Sequence, residues 1–264
     1  MSALDDWLAY LETRNRSANT IRSYRSTMAT FPDPLTATVC DAEAWWSERQ
    51  HLSVAARRRM LTTVRSFYRW AQRFDVRTDD PTRRLDPPTQ GRRLPRPVGR
   101  ADLLAILAAA SPDMRRAIAL GAYAGLRVSE AAELDWADVD IEARRIFVRG
   151  KGDKDRAVGL SALLLDEILP NTGGNVVMAG GKPHTPDSLQ RAANRTIAAA
   201  GVHATFHKLR SRFATVTLAA TGNLLAVSRA LGHASPTTTA IYAATADSDL
   251  DVIDDDEAWE RNRT

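Results

Sequence analysis

Residues 205–244 carry the signals that most narrowly restrict how this chain can fold. From Phe206 onward, apolar residues recur every three or four positions, which predicts one buried stripe along a helix. The stripe consists of Phe206, Leu209, Phe213, Val216 and Ala220. Gly222 is a natural stop for this helix. A second apolar run, 224–231, ends at Gly232, and Ser235 and Pro236 then provide an N-cap and a first helical residue for a third helix.

Four polar side chains occupy defined places on these predicted helices. His207 and Arg210 are three residues apart, so they project from one face, beside the apolar stripe. His233 follows the second helix at its C-terminal exit, and Tyr242 falls in the second turn of the third helix. A single His or Tyr on such a helix is more often a core or rim residue, and two helices around a glycine turn are also typical of a simple DNA-reading motif.

The charge distribution predicts a polyanionic partner. The chain of 264 residues has a formal net charge of +4, although the last twenty residues, 245–264, carry eight acids against two arginines. A basic body with an acidic tail favours a polyanion for the body and a protein contact for the tail. Cys40 is the sole cysteine, which excludes an internal disulfide and a cysteine-based zinc cluster.

Nothing in the sequence predicts a membrane protein. The longest apolar run, residues 103–110, is far shorter than the roughly 20 residues that span a bilayer. The chain also opens without a basic-then-apolar leader. We therefore expect a cytoplasmic protein with no membrane partner.

Residues 1–85 predict an all-helical, arginine-rich domain. Two helices are expected within residues 1–30, with Ser17 as the N-cap of the second, and Asp41 is a candidate cap for the next. The longest helix is expected from Ser53 to about Phe74, and its inward residues are Leu61, Val64, Tyr68 and Ala71. Its other side carries donors that suit a phosphate backbone, although a solvated basic face would look the same. These donors are Arg58, Thr62, Arg65 and Arg69.

A basic linker is expected at 86–99, where four prolines and two glycines interrupt any apolar period. The second domain, 100–264, opens with predicted helices over 100–110 and 112–124. Gly125 breaks the latter, so Arg127 lies in a tight turn before a helix capped near Ser129.

Strand-like segments follow at 136–141, 145–149 and 156–160, and the last two are joined by a hairpin tip that carries Lys151 and Lys154. Helices over 163–169 and 187–200 lead back to the opening stretch. The predicted fold class is therefore mostly α with a small antiparallel β-sheet, in two domains: one all-helical and one mixed α/β.

Taken in order, these motifs resemble the tyrosine recombinase, or phage integrase, family over nearly the whole chain. The matching segments are Ala-Gly-Leu-Arg-Val-Ser-Glu at 124–130, Gly-Lys-Gly-x-Lys at 150–154, His-x-x-Arg at 207–210, Leu-Gly-His at 231–233, and the tyrosine nine residues after that histidine. Segments 19–25 and 64–70 of the helical half also resemble the family's core-binding domain. The resemblance implies a core-binding domain at 1–85 and a catalytic domain at 100–264 that ends in the tail 245–264.

The resemblance implies six catalytic residues: Arg127, Lys151, His207, Arg210, His233 and Tyr242. A free tyrosine ionises near pH 10 and is a poor nucleophile at neutral pH, so it needs cationic surroundings or a nearby base. Tyr242 would attack the scissile phosphate, which gives a 3′-phosphotyrosine and a free 5′-hydroxyl. Arg127 and Arg210 would hold the non-bridging oxygens, a task that suits the guanidinium fork.

The remaining roles also follow from the resemblance. Lys151 would protonate the departing 5′-oxygen, His207 would be the base or proton shuttle for the nucleophile, and His233 would be a further donor to the phosphate. Glu130 would orient the arginine three residues before it, and Lys154 is a flanking candidate for DNA contact. The reaction would need no metal and no other cofactor.

The implied partner is double-stranded DNA that carries a specific recombination site. Family members exchange strands in a tetramer, with a dimer on each site, through a Holliday junction. The tail would dock on a neighbouring protomer, with a tail that lacks fixed structure as the alternative, and an accessory directionality factor is left open. A minimal phage integrase is the favoured interpretation, and a Xer-type resolvase of chromosome dimers is the close alternative. A type IB topoisomerase shares the chemistry, and a non-catalytic helix-turn-helix regulator is the alternative from another class.

Overall fold

A computed structural model describes residues 2–89, 91, 96–149, 155–170, 173–232 and 239–242. The chain divides into two compact units, residues 1–92 and 93–264, each with its own apolar core. The N-terminal unit is helical in its described part, and the C-terminal unit combines helices with short antiparallel strands. The predicted fold class is therefore confirmed. No helix in the described ranges is long and apolar enough to cross a bilayer.

The N-terminal unit contains the helices α1 (Ala3–Thr13), α2 (Ala18–Met28), α3 (Val39–Ser47) and α4 (Val54–Arg73). Hydroxyl side chains begin them: Ser17 caps α2 as predicted, and Ser53, the predicted start of the long helix, is the N-cap of α4. The expected cap at Asp41 is wrong. Thr38 is the N-cap of α3, and Asp41 accepts the Thr38 backbone N–H at 2.8 Å from its place in the first turn. The two residues form a capping box, so the acid supports the cap without being it.

Aromatic rings form the centre of the N-terminal unit. Trp7 is fully buried, stacks on Tyr24 at 5.6 Å and meets the edge of Phe67 at 5.5 Å between ring centroids. All four residues predicted to face inward from α4 are buried, namely Leu61, Val64, Tyr68 and Ala71. This core fixes which side of α4 faces outward. That side carries three of the four predicted phosphate donors, namely Arg58, Thr62 and Arg69.

The C-terminal unit is built around one central helix. Its helices are α5 (Arg100–Ala109), α6 (Pro112–Tyr123), α7 (Val128–Glu133), α8 (Ala162–Ile168), α9 (Pro186–Ala199), α10 (Phe206–Thr221) and α11 (Leu224–Leu231). Helix α6 is buried along most of its length and contacts α5, α7, α8, α9 and α10. A Cβ on Gly121 would lie 3.1 Å from the Phe206 ring, so this glycine permits the close approach of α10.

A three-stranded antiparallel sheet lies between α7 and α8 in the chain. Its strands β1 (Val139–Asp140), β2 (Arg145–Val148) and β3 (Arg156–Gly159) pair in sequence order, with Val148 opposite Arg156. The first predicted strand, 136–141, is largely wrong. Trp136–Asp138 is a 3₁₀ turn because the Asp135 carboxylate accepts the Ala137 N–H and caps it. The short pair β4 (Met178–Ala179) and β5 (Lys182–Pro183) was not predicted.

Helices α10 and α11 end at the predicted glycines, Gly222 and Gly232. The predicted stripe on α10 is only partly right, because Ala220 is exposed while Ala214 and Leu218 are buried. Packing by α6 and α11 on different sides of α10 broadens its buried surface beyond one stripe. Tyr242 ends the 3₁₀ turn Ala240–Tyr242. The predicted start of its helix, at Ser235 and Pro236, lies outside the described residues.

Candidate active site

The turn after α6 positions the first candidate arginine. Gly125 adopts a left-handed backbone with φ of 63°, and a Cβ there would lie 2.4 Å from the Phe213 ring. The chain then reverses, and Arg127, rather than the predicted Ser129, is the N-cap of α7. Its backbone N–H donates to the Glu130 carboxylate at 2.7 Å. This bond occupies an N–H that the first turn of a helix leaves without an intrahelical partner.

Three arginines surround the carboxylate of Glu130. Arg127 donates from Nη1 at 2.8 Å, and Arg156 donates from Nη1 and Nη2 to the two oxygens, both at 2.8 Å. The Nη1 of Arg210 lies 3.7 Å away. Burial alone would raise the pKa of Glu130, but the hydrogen bonds from Arg156 and Arg127 lower it to about 2. The carboxylate is therefore ionised at neutral pH, and the cluster carries three positive charges and one negative charge.

The same three arginines converge on the C-terminal end of α11. Arg156 Nε donates to Ala230 O at 2.7 Å, Arg210 Nη2 donates to Leu231 O, and Arg127 Nη2 donates to Gly232 O at 3.2 Å. The last carbonyls of a helix have no intrahelical partners and carry its partial negative charge, so guanidinium groups are favourable there. Gly232 is the residue before His233 in the chain.

Arg210 is almost fully buried, with 2% of its surface exposed, and its Nη1 also donates to Gly125 O at 2.5 Å. Burial, followed by the positive charge of Arg127, lowers the pKa of Arg210 to about 10. The guanidinium therefore stays charged at neutral pH. Its surroundings are fixed by the turn after α6 and by the end of α11, so Arg210 links the two.

His207 lies one turn before Arg210 on α10 and is exposed. Partial burial of its ring, followed by the positive charges of Arg210, Lys208 and Arg127, lowers the pKa of His207. Because the ordinary value is 6.5, the imidazole is mostly uncharged at neutral pH and can accept a proton. The predicted shared face of His207 and Arg210 separates in the structure into an exposed and a buried side chain.

Tyr242 packs into an apolar cluster between α10 and α11. It is only 4% exposed, and its buried neighbours are Ala214, Leu218, Val227 and Leu231. Tyr242 also lies close enough to Arg210 to contribute to the pKa of that residue. The two helices that carry Arg210 and precede His233 thus also hold the candidate nucleophile.

Other predicted site residues belong to the N-terminal unit or fall outside the described residues. Lys151, Lys154 and His233 fall outside the described residues. On α4, Arg58, Thr62 and Arg69 are exposed, while Arg65 is partly buried and donates from Nη2 to Thr82 O at 3.0 Å and Leu85 O at 2.6 Å.

Two of the exposed α4 residues also bond within their own unit. Arg58 Nη1 donates to Pro88 O at 3.0 Å, and Thr62 Oγ1 donates to Arg58 O at 2.8 Å. No group of three His, Cys, Asp or Glu side chains in the described ranges could hold a metal ion.

The sequence analysis missed Arg156, the residue whose guanidinium binds both oxygens of Glu130. A signal was present, because side chains two apart on a strand share a face. Arg156 is in phase with Val158 and Leu160, which are 3% and 2% exposed. An arginine on the buried side of a strand requires a partner, and that requirement could have identified it.

Comparisons with known proteins agree with this architecture. A sequence profile described as "Phage integrase family" matches residues 100–249, and one described as "Phage integrase, N-terminal SAM-like domain" matches residues 4–74. The tyrosine recombinase XerC of Corynebacterium efficiens is 33% identical over 268 residues, which cover 92% of this chain and 86% of the relative.

Solved structures show the same fold. A lambda integrase dimer bound to a COC′ core site superposes with a TM-score of 0.77 at 21% identity, covering 91% of this chain and 93% of that one. A lambda integrase tetramer bound to a Holliday junction gives a TM-score of 0.74 at 19% identity, covering 89% and 77%. At such identities the likeness establishes shared architecture, and the residue roles must come from the site itself.

Proposed function

The chain belongs to the phage integrase family and is a tyrosine site-specific recombinase, and from this premise we propose how its own residues cleave and rejoin DNA. Tyr242 attacks the scissile phosphate and forms a 3′-phosphotyrosine with release of a 5′-hydroxyl. The bond between protein and DNA retains the energy of the phosphodiester, so the 5′-hydroxyl of another strand can displace the tyrosine without ATP. The reaction is metal-independent in this proposal.

The arginines neutralise the phosphate. Arg127 and Arg210 hold the non-bridging oxygens, where negative charge accumulates in the transition state. Both side chains are oriented by contacts within the protein, Arg127 by Glu130 and Gly232 O and Arg210 by Leu231 O. Donors that are fixed before the reaction need little reorganisation when the charge develops.

The proton transfers belong to the remaining residues. His207, uncharged at neutral pH, accepts the proton of the attacking tyrosine hydroxyl, either directly or as a shuttle. Lys151 gives a proton to the leaving 5′-oxygen, and His233 donates a hydrogen bond to the phosphate. The assignments of Lys151 and His233 rest on their motifs at 150–154 and 231–233.

One observation carries the proposal more than any other. Arg127 and Arg210 are far apart in sequence, yet both donate to consecutive carbonyls at the end of α11, immediately before His233. A DNA-binding regulator would need surface charge, whereas it would have no need to desolvate a guanidinium to 2% exposure. Fixed, buried positive charge fits transition-state stabilisation.

The partner is double-stranded DNA, and the active assembly is an oligomer on that DNA. We infer a dimer on each recombination site and a tetramer during strand exchange, as the lambda integrase assembled on a Holliday junction illustrates. Residues 1–85 would bind the core site, 86–99 would link the domains, and 100–264 would hold the catalytic residues. In this proposal Lys154 contacts DNA beside the site, the tail 245–264 docks on the next protomer, and the protein acts in the cytoplasm.

Two biological roles fit this chemistry. A minimal phage integrase joins two different sequences, whereas a Xer-type resolvase recombines two copies of one chromosomal sequence. Identity of 33% with a XerC protein over 92% of this chain favours the second role. Sequencing the DNA on both sides of recombined junctions distinguishes the two roles. If the direction of recombination depends on an added cell extract, an accessory factor is involved.

Covalent trapping tests the proposed reaction. The protein is incubated in chelator with a pool of nicked random duplexes, from which a short 5′-hydroxyl fragment can leave after cleavage and so prevent reversal. We expect protein–DNA adducts that survive denaturant in the wild type and disappear in Tyr242→Phe. Tyr10→Phe, which removes a hydroxyl from the other unit, is the matched control and should retain the adducts. Retention of DNA without any adduct would instead support a binding-only regulator.

A further inference from the structure

Arg156 lies at the start of β3, and each of its nitrogens that can donate is used inside the protein. Its Nη1 and Nη2 bind the two oxygens of Glu130, and its Nε binds Ala230 O. The side chain is only 9% exposed.

The bonds of Arg156 close a ring of contacts between α7, β3 and α11. Arg127 joins the Glu130 carboxylate to Gly232 O, and Arg156 joins the same carboxylate to Ala230 O, two residues earlier. A Cβ on Gly232 would lie 3.2 Å from both Cδ and Nη1 of Arg156, so this side chain also packs directly against the end of α11. Arg127 is therefore held at Nη1 by a carboxylate that Arg156 fixes from both oxygens, and at Nη2 by Gly232 O, which leaves it little freedom to rotate.

The charges give Arg156 a second effect. With Arg156 present, the cluster of three arginines and one carboxylate has a net charge of +2. Without Arg156, Glu130 would offset one of the two remaining arginines, and the net charge would fall to +1. A phosphodiester carries one negative charge and gains more as a nucleophile adds, so the cluster with Arg156 matches the transition state better.

We propose that Arg156 is a positioning residue for DNA cleavage: it occupies both oxygens of Glu130, holds the end of α11, and so leaves Arg127 and Arg210 oriented and positively charged toward the phosphate. The inference rests on the proposed function, since it assigns a task within the same reaction. Arg156 itself does not touch the DNA. Its contribution acts through Glu130 and the carbonyl of Ala230.

Single-turnover cleavage of a nicked duplex at saturating DNA is the first test. Arg156→Ala should cleave about 10- to 100-fold more slowly, because displacement of oriented groups by about an ångström costs that much. Its affinity for DNA should stay within about threefold of the wild type, since the residue is buried away from the DNA. Arg156→Lys keeps the positive charge and one donating nitrogen, so it should recover part of the cleavage rate. It also serves as the test variant if Arg156→Ala does not fold.

Arg145→Ala is the matched control, since Arg145 lies on the adjacent strand β2 and is exposed. It should cleave within about twofold of the wild type, because an exposed side chain on that strand holds no part of the cluster. Equal rates for Arg156→Ala and Arg145→Ala would overturn the inference.

A double-mutant cycle with Glu130→Gln tests the route by which Arg156 acts. Because Arg156 acts through the carboxylate as well as through Ala230 O, its removal should slow cleavage several-fold less once Glu130 is already glutamine. A full 10- to 100-fold loss in that background would overturn the inference.

A scissile methylphosphonate supplies a readout that a folding defect would not change. This linkage lacks one non-bridging charge, so the defect of Arg156→Ala should shrink on it, whereas an equal defect on both substrates would reject the electrostatic role. Failure of the proposed function shows itself differently, as absence of adduct from the wild type. A wild type that cleaves, beside an Arg156→Ala variant that cleaves equally well, would reject this inference alone.

Discussion

The arginines on α4 and those around Glu130 carry the same chemical group in opposite surroundings. Arg58 and Arg69 are exposed on one side of a long helix. The side chain of Arg156 is only 9% exposed and binds a carboxylate and a carbonyl, and the buried Arg210 binds two backbone carbonyls. An exposed guanidinium can meet a phosphate anywhere along a DNA backbone and gains from the release of counterions. A buried one is dehydrated when the chain folds, before any DNA is present.

The difference separates binding from catalysis. Exposed arginines hold the polyanion wherever it lies, so the loss of one should weaken affinity without altering the chemical step. Buried arginines are costly to desolvate and are stable only because Glu130 and the end of α11 compensate them. That compensation also fixes their direction, which is what a transition state requires. Variants of the exposed arginines should therefore change the affinity for DNA, whereas variants of the buried arginines should change the cleavage rate, and by a larger factor.

The largest effect should come from Arg210→Ala. Loss of this donor should slow cleavage about 10³-fold, the upper range for removal of one preorganised donor. It should also lower the free energy of unfolding by about 2–4 kcal/mol, because Gly125 O and Leu231 O lose their partner. Rapid-quench cleavage and urea unfolding measure the two quantities.

Arg191→Ala removes an exposed arginine from α9 and is the control for Arg210→Ala. It should leave both the rate and the stability within the ordinary range for a surface change. If Arg210→Ala altered only DNA affinity, the distinction between the two sets of arginines would be wrong.

Glu130→Gln should have the next largest effect, and that effect should depend on pH. The pKa of Glu130 falls from 4.5 to about 2 on folding, so the ionised carboxylate stabilises the folded chain. This contribution, on the order of 3 kcal/mol, is fully present above pH 4.5 and is lost as the pH falls toward 2. Urea unfolding should therefore show a wide stability gap between wild type and variant at pH 7 that shrinks to roughly half by pH 3.

Glu133→Gln lies on the same helix and is exposed, which makes it the control for the pH series. Its stability should follow that of the wild type at every pH, since an exposed carboxylate gains little from folding. A gap for Glu130→Gln that stayed constant between pH 7 and pH 3 would mean that the carboxylate is not held ionised by its arginines.

The two regions also differ in how far the sequence could predict them. The cap at Ser17, the start of α4 near Ser53 and the inward side of α4 followed from local sequence, because caps and helical periodicity depend on residues within a few positions. Most contacts around Glu130 join residues far apart in sequence, such as Arg156 with Glu130, 26 positions apart, and Arg210 with Gly125, 85 positions apart. No spacing rule reaches that far, so motif resemblance supplied Arg127, Arg210 and the local partner Glu130, but it supplied neither Arg156 nor the distant carbonyl partners.

Errors arose where neighbours decide the outcome. The shared face predicted for His207 and Arg210 was correct as helix geometry, but the packing of α6 and α11 buries one of them and leaves the other exposed. Trp136 resembled the start of a strand, and a carboxylate at Asp135 turned the backbone into a 3₁₀ turn instead. The first outcome came from packing with distant elements, whereas the second came from a local cap that the strand pattern does not take into account.

Arg65 tests this distinction, because it lies on α4 among the exposed arginines but is partly buried and bonded to backbone carbonyls, like the arginines around Glu130. It lies in the predicted DNA-binding row, yet its Nη2 donates to Thr82 O and Leu85 O. Arg65→Ala should lower the free energy of unfolding by about 1–3 kcal/mol, while Arg69→Ala should change it by less than about 0.5 kcal/mol. Tryptophan fluorescence in urea suits this measurement, since Trp7, Trp45, Trp46 and Trp70 report on this unit. Equal free energies of unfolding for the two variants would mean that Arg65 contributes no more to stability than an exposed arginine.

The smallest effect, and the one most specific to the exposed set, concerns salt. Arg69→Ala should weaken DNA binding similarly for all sequences and reduce the slope of log K against log salt by about 1, because one fewer counterion is displaced. Thr62→Ala on the same side of α4 removes an uncharged donor and should leave that slope unchanged. Fluorescence anisotropy across a salt series measures both. An unchanged slope for Arg69→Ala would place the DNA elsewhere, and the α4 row would then be a solvated basic face.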